Sequence, residues 1–143
     1  MKRDFLNAIR AILLASCGAL LMTACSTAIV RDTGLDKLAP RKAEQDLSTG
    51  IRAYEDGNYK SALKHLQSAL DAGLILDSDK VVAHKYLAFV HCAHGRDAQC
   101  RQEFREALEL DPKFELGPSE AGHPAWGPAF KSVKADMARK QQK

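Results

Sequence analysis

The chain has 143 residues, with 21 Lys and Arg against 18 Asp and Glu, four Cys and one Trp. Its 27% charged and 45% hydrophobic residues exclude collagen-like and wholly disordered chains, and the length fits a single domain. Without residues 1–24 the other 119 carry 18 basic and 17 acidic side chains, so the charge falls from +3 to +1 and no basic footprint for nucleic acid remains.

Residues 1–10 carry Lys2, Arg3 and Arg10 against Asp4, and residues 11–22 form an uncharged apolar run of 12. A membrane-spanning helix needs about 20 such residues, so a secretory signal fits better than an anchor. The run ends in Leu21-Met22-Thr23-Ala24-Cys25. This resembles a bacterial lipobox, which implies cleavage before Cys25, a thioether-linked diacylglycerol on its sulfur and acylation of the new amino terminus. Several acyl chains on one residue give stable anchoring, since each buried CH₂ contributes about 0.8 kcal/mol. Leu14-Ala15-Ser16-Cys17 is closer to the lipobox pattern locally, but leaves only about six apolar residues after Arg10, below the usual length of a signal core. A cleaved signal with an incidental Cys25, or an uncleaved buried helix, are the plainer readings. Lipoproteins retained at the inner membrane carry Asp after the Cys. Ser26 stands there instead, so the resemblance implies a lipid anchor in the outer membrane, facing the periplasm.

Residues 25–41 hold no sustained period and contain Gly34 and Pro40, the pattern of a tether. From Lys42 the period becomes helical, with Ala43, Leu47, Ile51 and Tyr54 on one stripe. Asp56-Gly57-Asn58 breaks it, and Asn58 is placed to cap a second helix bearing Ala62, Leu63, Leu66, Ala69 and Leu70, closed by Gly73. The pattern recurs over residues 78–112. Ser78 or Asp79 is expected to cap a helix with Val82, Tyr86, Leu87, Phe89 and Val90. Gly95-Arg96-Asp97 turns the chain, and Phe104, Ala107, Leu108 and Leu110 continue to Asp111-Pro112.

The two hairpins, about 42–73 and 78–112, superimpose at an offset of 38 residues and resemble tetratricopeptide repeats, whose period is 34. The second is the better match, ending in Ala-Leu-Glu-Leu-Asp-Pro (107–112), and four extra residues in 74–79 account for the longer offset. Gly50, Ala62, Ala88 and Cys100 are the small residues where paired helices approach closely. The fold class expected is all-α: two hairpins and a C-terminal cap. Because two repeats are fewer than a solenoid normally needs, residues 113–143 are read as that cap, with Phe114, Leu116, Trp126 and Phe130 packing on the last repeat. Its helix is expected from about Pro128, with Ala129, Phe130, Val133 and Met137 on one face and a frayed turn from Arg139 to Lys143. A ligand lid is the sharper alternative for this tail.

Cys92 and Cys100 flank the Gly95 turn with seven residues between them, and antiparallel helices place them within the Cα separation a disulfide needs. The spacing resembles that in some Sel1-type repeats, and a periplasmic location favours oxidation. Two reduced core thiols are the alternative. His84 and His91 replace aromatic residues of the repeat pattern and are read as packing residues, with His94 nearby. His65 and His123 are read as isolated, and the acids as caps and solvated pairs such as Glu103 with Arg101 or Arg105. No catalytic motif, cofactor signature or metal-ligand set emerges, so an enzyme is not expected and neither is a small-molecule substrate.

The tetratricopeptide resemblance implies a concave groove lined by the first helix of each hairpin: Glu44, Leu47, Ile51, Tyr54 and Glu55, then Val82, Lys85, Phe89 and Cys92. Leu47, Ile51, Tyr54, Val82, Lys85 and Phe89 are the candidate partner contacts, suited to an extended peptide or a helix. The tether or the C-terminal segment could fill the groove instead. Residues 83–92, 95–104 and the Gly-His-Pro-x-Trp-Gly-Pro-x-Phe tail at 122–130, together with the lipobox, resemble the TssQ-type accessory lipoproteins of type VI secretion loci. That resemblance implies an adaptor binding an envelope-spanning secretion component. A pilotin-like or chaperone lipoprotein escorting another outer-membrane protein is the alternative.

Overall fold

The computed structural model describes residues 41–141, so the signal, Cys25 and most of the tether lie outside the described residues. Six helices follow in order: α1 (Lys42–Glu55), α2 (Tyr59–Ala72), α3 (Asp77–Ala93), α4 (Asp97–Leu110), the one-turn α5 (Pro118–Ala121) and α6 (Gly127–Gln141). No strand occurs among the described residues, and the fold is all-α and tetratricopeptide-like. No helix among them is long and apolar enough to cross a membrane.

Helices α1 and α2 form one hairpin and α3 and α4 the other; α3 also packs on α1 and α2, and α6 packs on α4. The two hairpin turns are built alike. Gly57 and Gly95 take φ of 75° and 67°, a left-handed conformation that costs a glycine little. Asn58 N–H then donates to the Ala53 carbonyl at 2.8 Å and Arg96 N–H to the His91 carbonyl at 2.9 Å, which occupies carbonyls the helix ends leave open. Asn58 caps α2 through its side chain, accepting from Ser61 N–H at 3.2 Å.

Close approach within the hairpins falls on the small residues. A Cβ added at Gly50 would lie 2.7 Å from Leu66 Cγ, and Ala62, Ala88 and Cys100 are 0% exposed. The interior has two parts. Ala43, Leu47, Ala62, Leu66, Ala69 and Leu74 meet Ala83, Leu87 and Val90 of α3. From the other side of α3, Ala88, Phe89 and Cys92 meet Cys100, Phe104 and Leu108 together with Leu116, Trp126, Phe130 and Val133 from the tail. Helix α3 is therefore buried on two faces, with seven buried residues.

Three local expectations need correction. Helix α3 begins at Asp77 with Leu76 in the cap position and no side-chain cap, so neither Ser78 nor Asp79 caps it. Asp77 and Asp79 instead place negative charge in the first turn, where the helix dipole favours it. Helix α6 starts one residue before Pro128 and runs to Gln141, with Arg139 paired to Asp136, so Arg139 and Lys140 are helical rather than frayed. The short helix α5 was not foreseen. Pro118 at its first position and Glu120, whose Oε2 accepts from Gly117 N–H at 3.0 Å, are the local signals for it.

Candidate functional site

The face lined by α1 and α3 gathers the six candidate partner contacts, but it is not an open trough. Leu47 is buried at 8% exposure and Phe89 at 2%, both core residues, while Ile51, Tyr54, Val82 and Lys85 are half-buried. Tyr54 sits in a ring cluster, 5.0 Å between centroids from Tyr86, 5.8 Å from Tyr59 and 6.2 Å from Phe89. Burial raises its phenol pKa above the ordinary value, and the neighbouring Tyr59 and Tyr86 add to that.

The C-terminal segment covers the α3 half of this face. Trp126 stacks on Phe89 with 4.3 Å between centroids and 20° between planes, and His123 also stacks on Trp126, at 3.4 Å. Trp126 Nε1–H donates to the Glu120 carbonyl at 3.0 Å, so its one polar group is satisfied on burial. Lys85 Nζ donates to Glu120 Oε1 at 2.7 Å and lies 4.6 Å from the centre of the Tyr86 ring. Glu120 thus uses one carboxylate oxygen to hold the groove lysine and the other to hold the turn at Gly117. His123, expected as an isolated turn residue, is part of this stack.

The other polar side chains make different pairings from those expected. Glu103 does not pair with Arg101 or Arg105. It receives His84, with 2.7 Å between Nδ1 and Oε2, bridging α3 and α4. Arg101 donates instead to Asp136 of α6 at 3.1 Å, and Arg105 to Gln102. His65 is not isolated either, since its Nδ1 lies 3.0 Å from Asp46 Oδ1. Asp46 also accepts from Lys42 and from Ser68 at 2.7 Å, and these contacts, led by Lys42, hold its carboxyl far below the usual carboxylate range. His94 Nδ1 meets the Val90 carbonyl at 2.7 Å, and His91 Nδ1 is buried without a hydrogen-bond partner. Burial lowers the His91 pKa, and the Arg96 guanidinium pushes the same way. His84 and His94 thus have separate partners and His91 Nδ1 has none, and no cluster of three metal-ligating side chains forms among the described residues.

Cys92 and Cys100 are joined as a disulfide across the α3–α4 turn, with 5.1 Å between their Cα atoms, within the range such a bond takes. It lies inside the second part of the core, beside Phe89 and Phe104.

Two features escaped sequence reasoning. The first is the Glu120–Lys85 contact, which spans 35 residues and has no local signal. The second is the loop after α2: Leu74 is buried at 3%, whereas Ile75 and Leu76 stand 65% and 58% exposed.

Residues 81–114 match the tetratricopeptide repeat family, a span of one full repeat that covers α3 from Val81 on, α4 and the turn beyond them. No curated protein and no solved structure matches the chain.

Proposed function

We propose that the protein is a lipid-anchored adaptor of the bacterial outer membrane. On this reading it binds a protein partner in the cell envelope through the part of the α1–α3 face that its own tail leaves uncovered. The repeat supports a protein-binding role. The observation that carries the proposal is the state of Ile51, Tyr54, Val82 and Tyr86. They are half-buried, with part of each side chain still accessible, on the face of which Phe89 and Lys85 are already covered. Tyrosines beside branched aliphatic residues, with little charge, have the composition of a protein-interface core.

The anchor rests on the lipobox-like residues ending at Cys25, and the assignment to a type VI secretion assembly on the resemblance of residues 83–92, 95–104 and 122–130. An accessory component of that assembly, joining it to the outer membrane, is the reading these features favour together. A pilotin-like chaperone is the second reading. The partly filled face favours it, because the short uncovered patch suits one brief segment of a client rather than a long peptide.

The test is cross-linking in cells followed by recovery of the protein from the envelope. Ile51→Glu with Val82→Glu should abolish recovery of the partner that wild type retains, with helix content unchanged by circular dichroism. Equal recovery rejects the face. Sheath or membrane-core subunits among the recovered proteins support the secretion reading, and a single outer-membrane client supports the second. Cys25→Ser should move the protein out of the membrane fraction; a variant that stays there removes the anchor.

A further inference from the structure

Two exposed features on different parts of the fold have matching chemistry, one apolar with acidic neighbours and the other an apolar cavity with lysines on its rim. The first is the loop between α2 and α3, which carries the four residues by which the repeat offset exceeds 34. Leu74 pins the loop into the core, and Ile75 and Leu76 project from it as the two most exposed large apolar side chains among the described residues. Asp71, Asp77 and Asp79 lie within five residues of them in the chain, and Lys80 is paired to Asp77 at 2.8 Å. This is an apolar knob with acidic neighbours.

The second feature lies beside α6. A cavity of about 350 Å³ is floored by Leu116, Ala121 and Phe130 and walled by Ala135 and Ala138. That volume is at the low end of ligand pockets, which run from about 300 to 1,000 Å³, so it suits one or two aliphatic side chains better than a large ligand. Lys131 and Lys134 stand on its rim, with Glu115 neutralising Lys134. Lys131 is exposed and has no ion-pair partner.

We propose that the Ile75–Leu76 knob of one copy seats in the α6 cavity of a second copy of this chain, with Asp77 and Asp79 meeting Lys131 and Lys134. The knob does not occupy the cavity of its own chain, since both side chains stand clear in solvent. The contact is heterologous: each copy offers a knob at one place and a cavity at another, so successive copies build a closed ring or an open chain. It does not depend on the partner proposed for the α1–α3 face.

Zero-length carbodiimide coupling of the full-length protein in detergent, using a mixture of isotopically heavy and normal chains, tests this. The expected product is an amide between Asp77 or Asp79 of one isotope and Lys131 or Lys134 of the other, with a ladder of multimers that grows with protein concentration. Ile75→Asp with Leu76→Asp removes the knob, and Ala135→Glu with Ala138→Glu blocks the cavity. All four positions are exposed, so the fold is retained. Each variant alone should lose at least tenfold of the cross-linked product. Mixed together they should recover a dimer without the higher ladder, because one intact knob and one intact cavity remain. Unchanged coupling in either variant, no inter-copy product in wild type, or no recovery on mixing overturns the proposal. So does a wild-type chain that stays monomeric while its cavity takes up an unrelated acidic peptide.

Discussion

Trp126 lies nearly flat against Phe89, a contact between residues 37 positions apart that joins the C-terminal segment to the helix shared by both parts of the core. Phe89 in turn meets Phe104 at 6.2 Å, and Phe104 meets Phe130 at 5.2 Å. The aromatic chain runs from α3 through α4 into α6. The open end of a two-hairpin array is thereby closed by side chains of the same chain, which is what a short repeat array requires for stability.

Trp126→Ala should therefore destabilise the whole fold rather than free the tail alone. Truncating a buried Trp typically costs about 3–5 kcal/mol, a large part of the 5–15 kcal/mol a domain of this kind possesses. Urea unfolding followed by circular dichroism should show a midpoint far below wild type in one transition. A wild-type midpoint with only the tail sensitive to protease would show that the stack is an accessory lid.

Glu120→Gln isolates a smaller part of the same closure. It removes the charge that faces Lys85 and weakens the acceptor at Gly117 N–H, while the Trp126 bond to the Glu120 carbonyl is kept. Loss of a hydrogen bond to a charged group costs about 1.5–3 kcal/mol when buried, and less in this part-exposed pair. Amide exchange should quicken across residues 114–126 and leave α1 and α2 unchanged. Equal exchange throughout would show that Glu120 holds nothing in place.

The helices, their turns and the small-residue contacts were legible because each depends on residues at most a few turns apart: a stripe at helical spacing, an Asn cap, a glycine after a helix. Helix α3 was only half legible. A single-stripe reading found Leu87, Phe89 and Val90 but not Val81 and Ala83, because a central helix buries two faces and loses its amphipathic period. The pairings of Glu103 and Arg101 were misread toward neighbours in sequence, when the available partners lay across the helix–helix contact on His84 and Asp136. The groove residues came from the repeat pattern alone, which carries no information on what the tail does to them.

The Cys92–Cys100 bond closes a short loop, so it should contribute on the order of 2 kcal/mol, mainly by restricting the unfolded chain. Protein purified without reductant and then denatured should show no reaction of these two positions with a thiol reagent until it is reduced. Cys92→Ala with Cys100→Ala should lower the unfolding free energy from urea titration by about that amount, the variant keeping a small residue at the Cys100 contact. Two reactive thiols at once on denaturation would exclude the bond in the native protein.

Acid should weaken the fold in two separate windows. The His91 pKa is lowered in the folded protein, chiefly by burial, so folding favours the neutral ring; Arg96 and His94 oppose its charging and Glu103 favours it. The unfolded chain binds a proton near pH 6.5 more readily than the folded one, so the stability His91 contributes is present above that pH and is lost as pH falls through it. Asp46 behaves the same way lower down. Its carboxyl is held ionised by Lys42, His65 and Ser68, so its contribution is present above about pH 4 and declines below it. His91→Phe, which restores an aromatic ring at that place, should flatten urea midpoints between pH 7.5 and 5.5 and leave the fall below pH 4. Asp46→Asn should do the reverse. Identical pH profiles for wild type and both variants would mean that other groups govern the acid response.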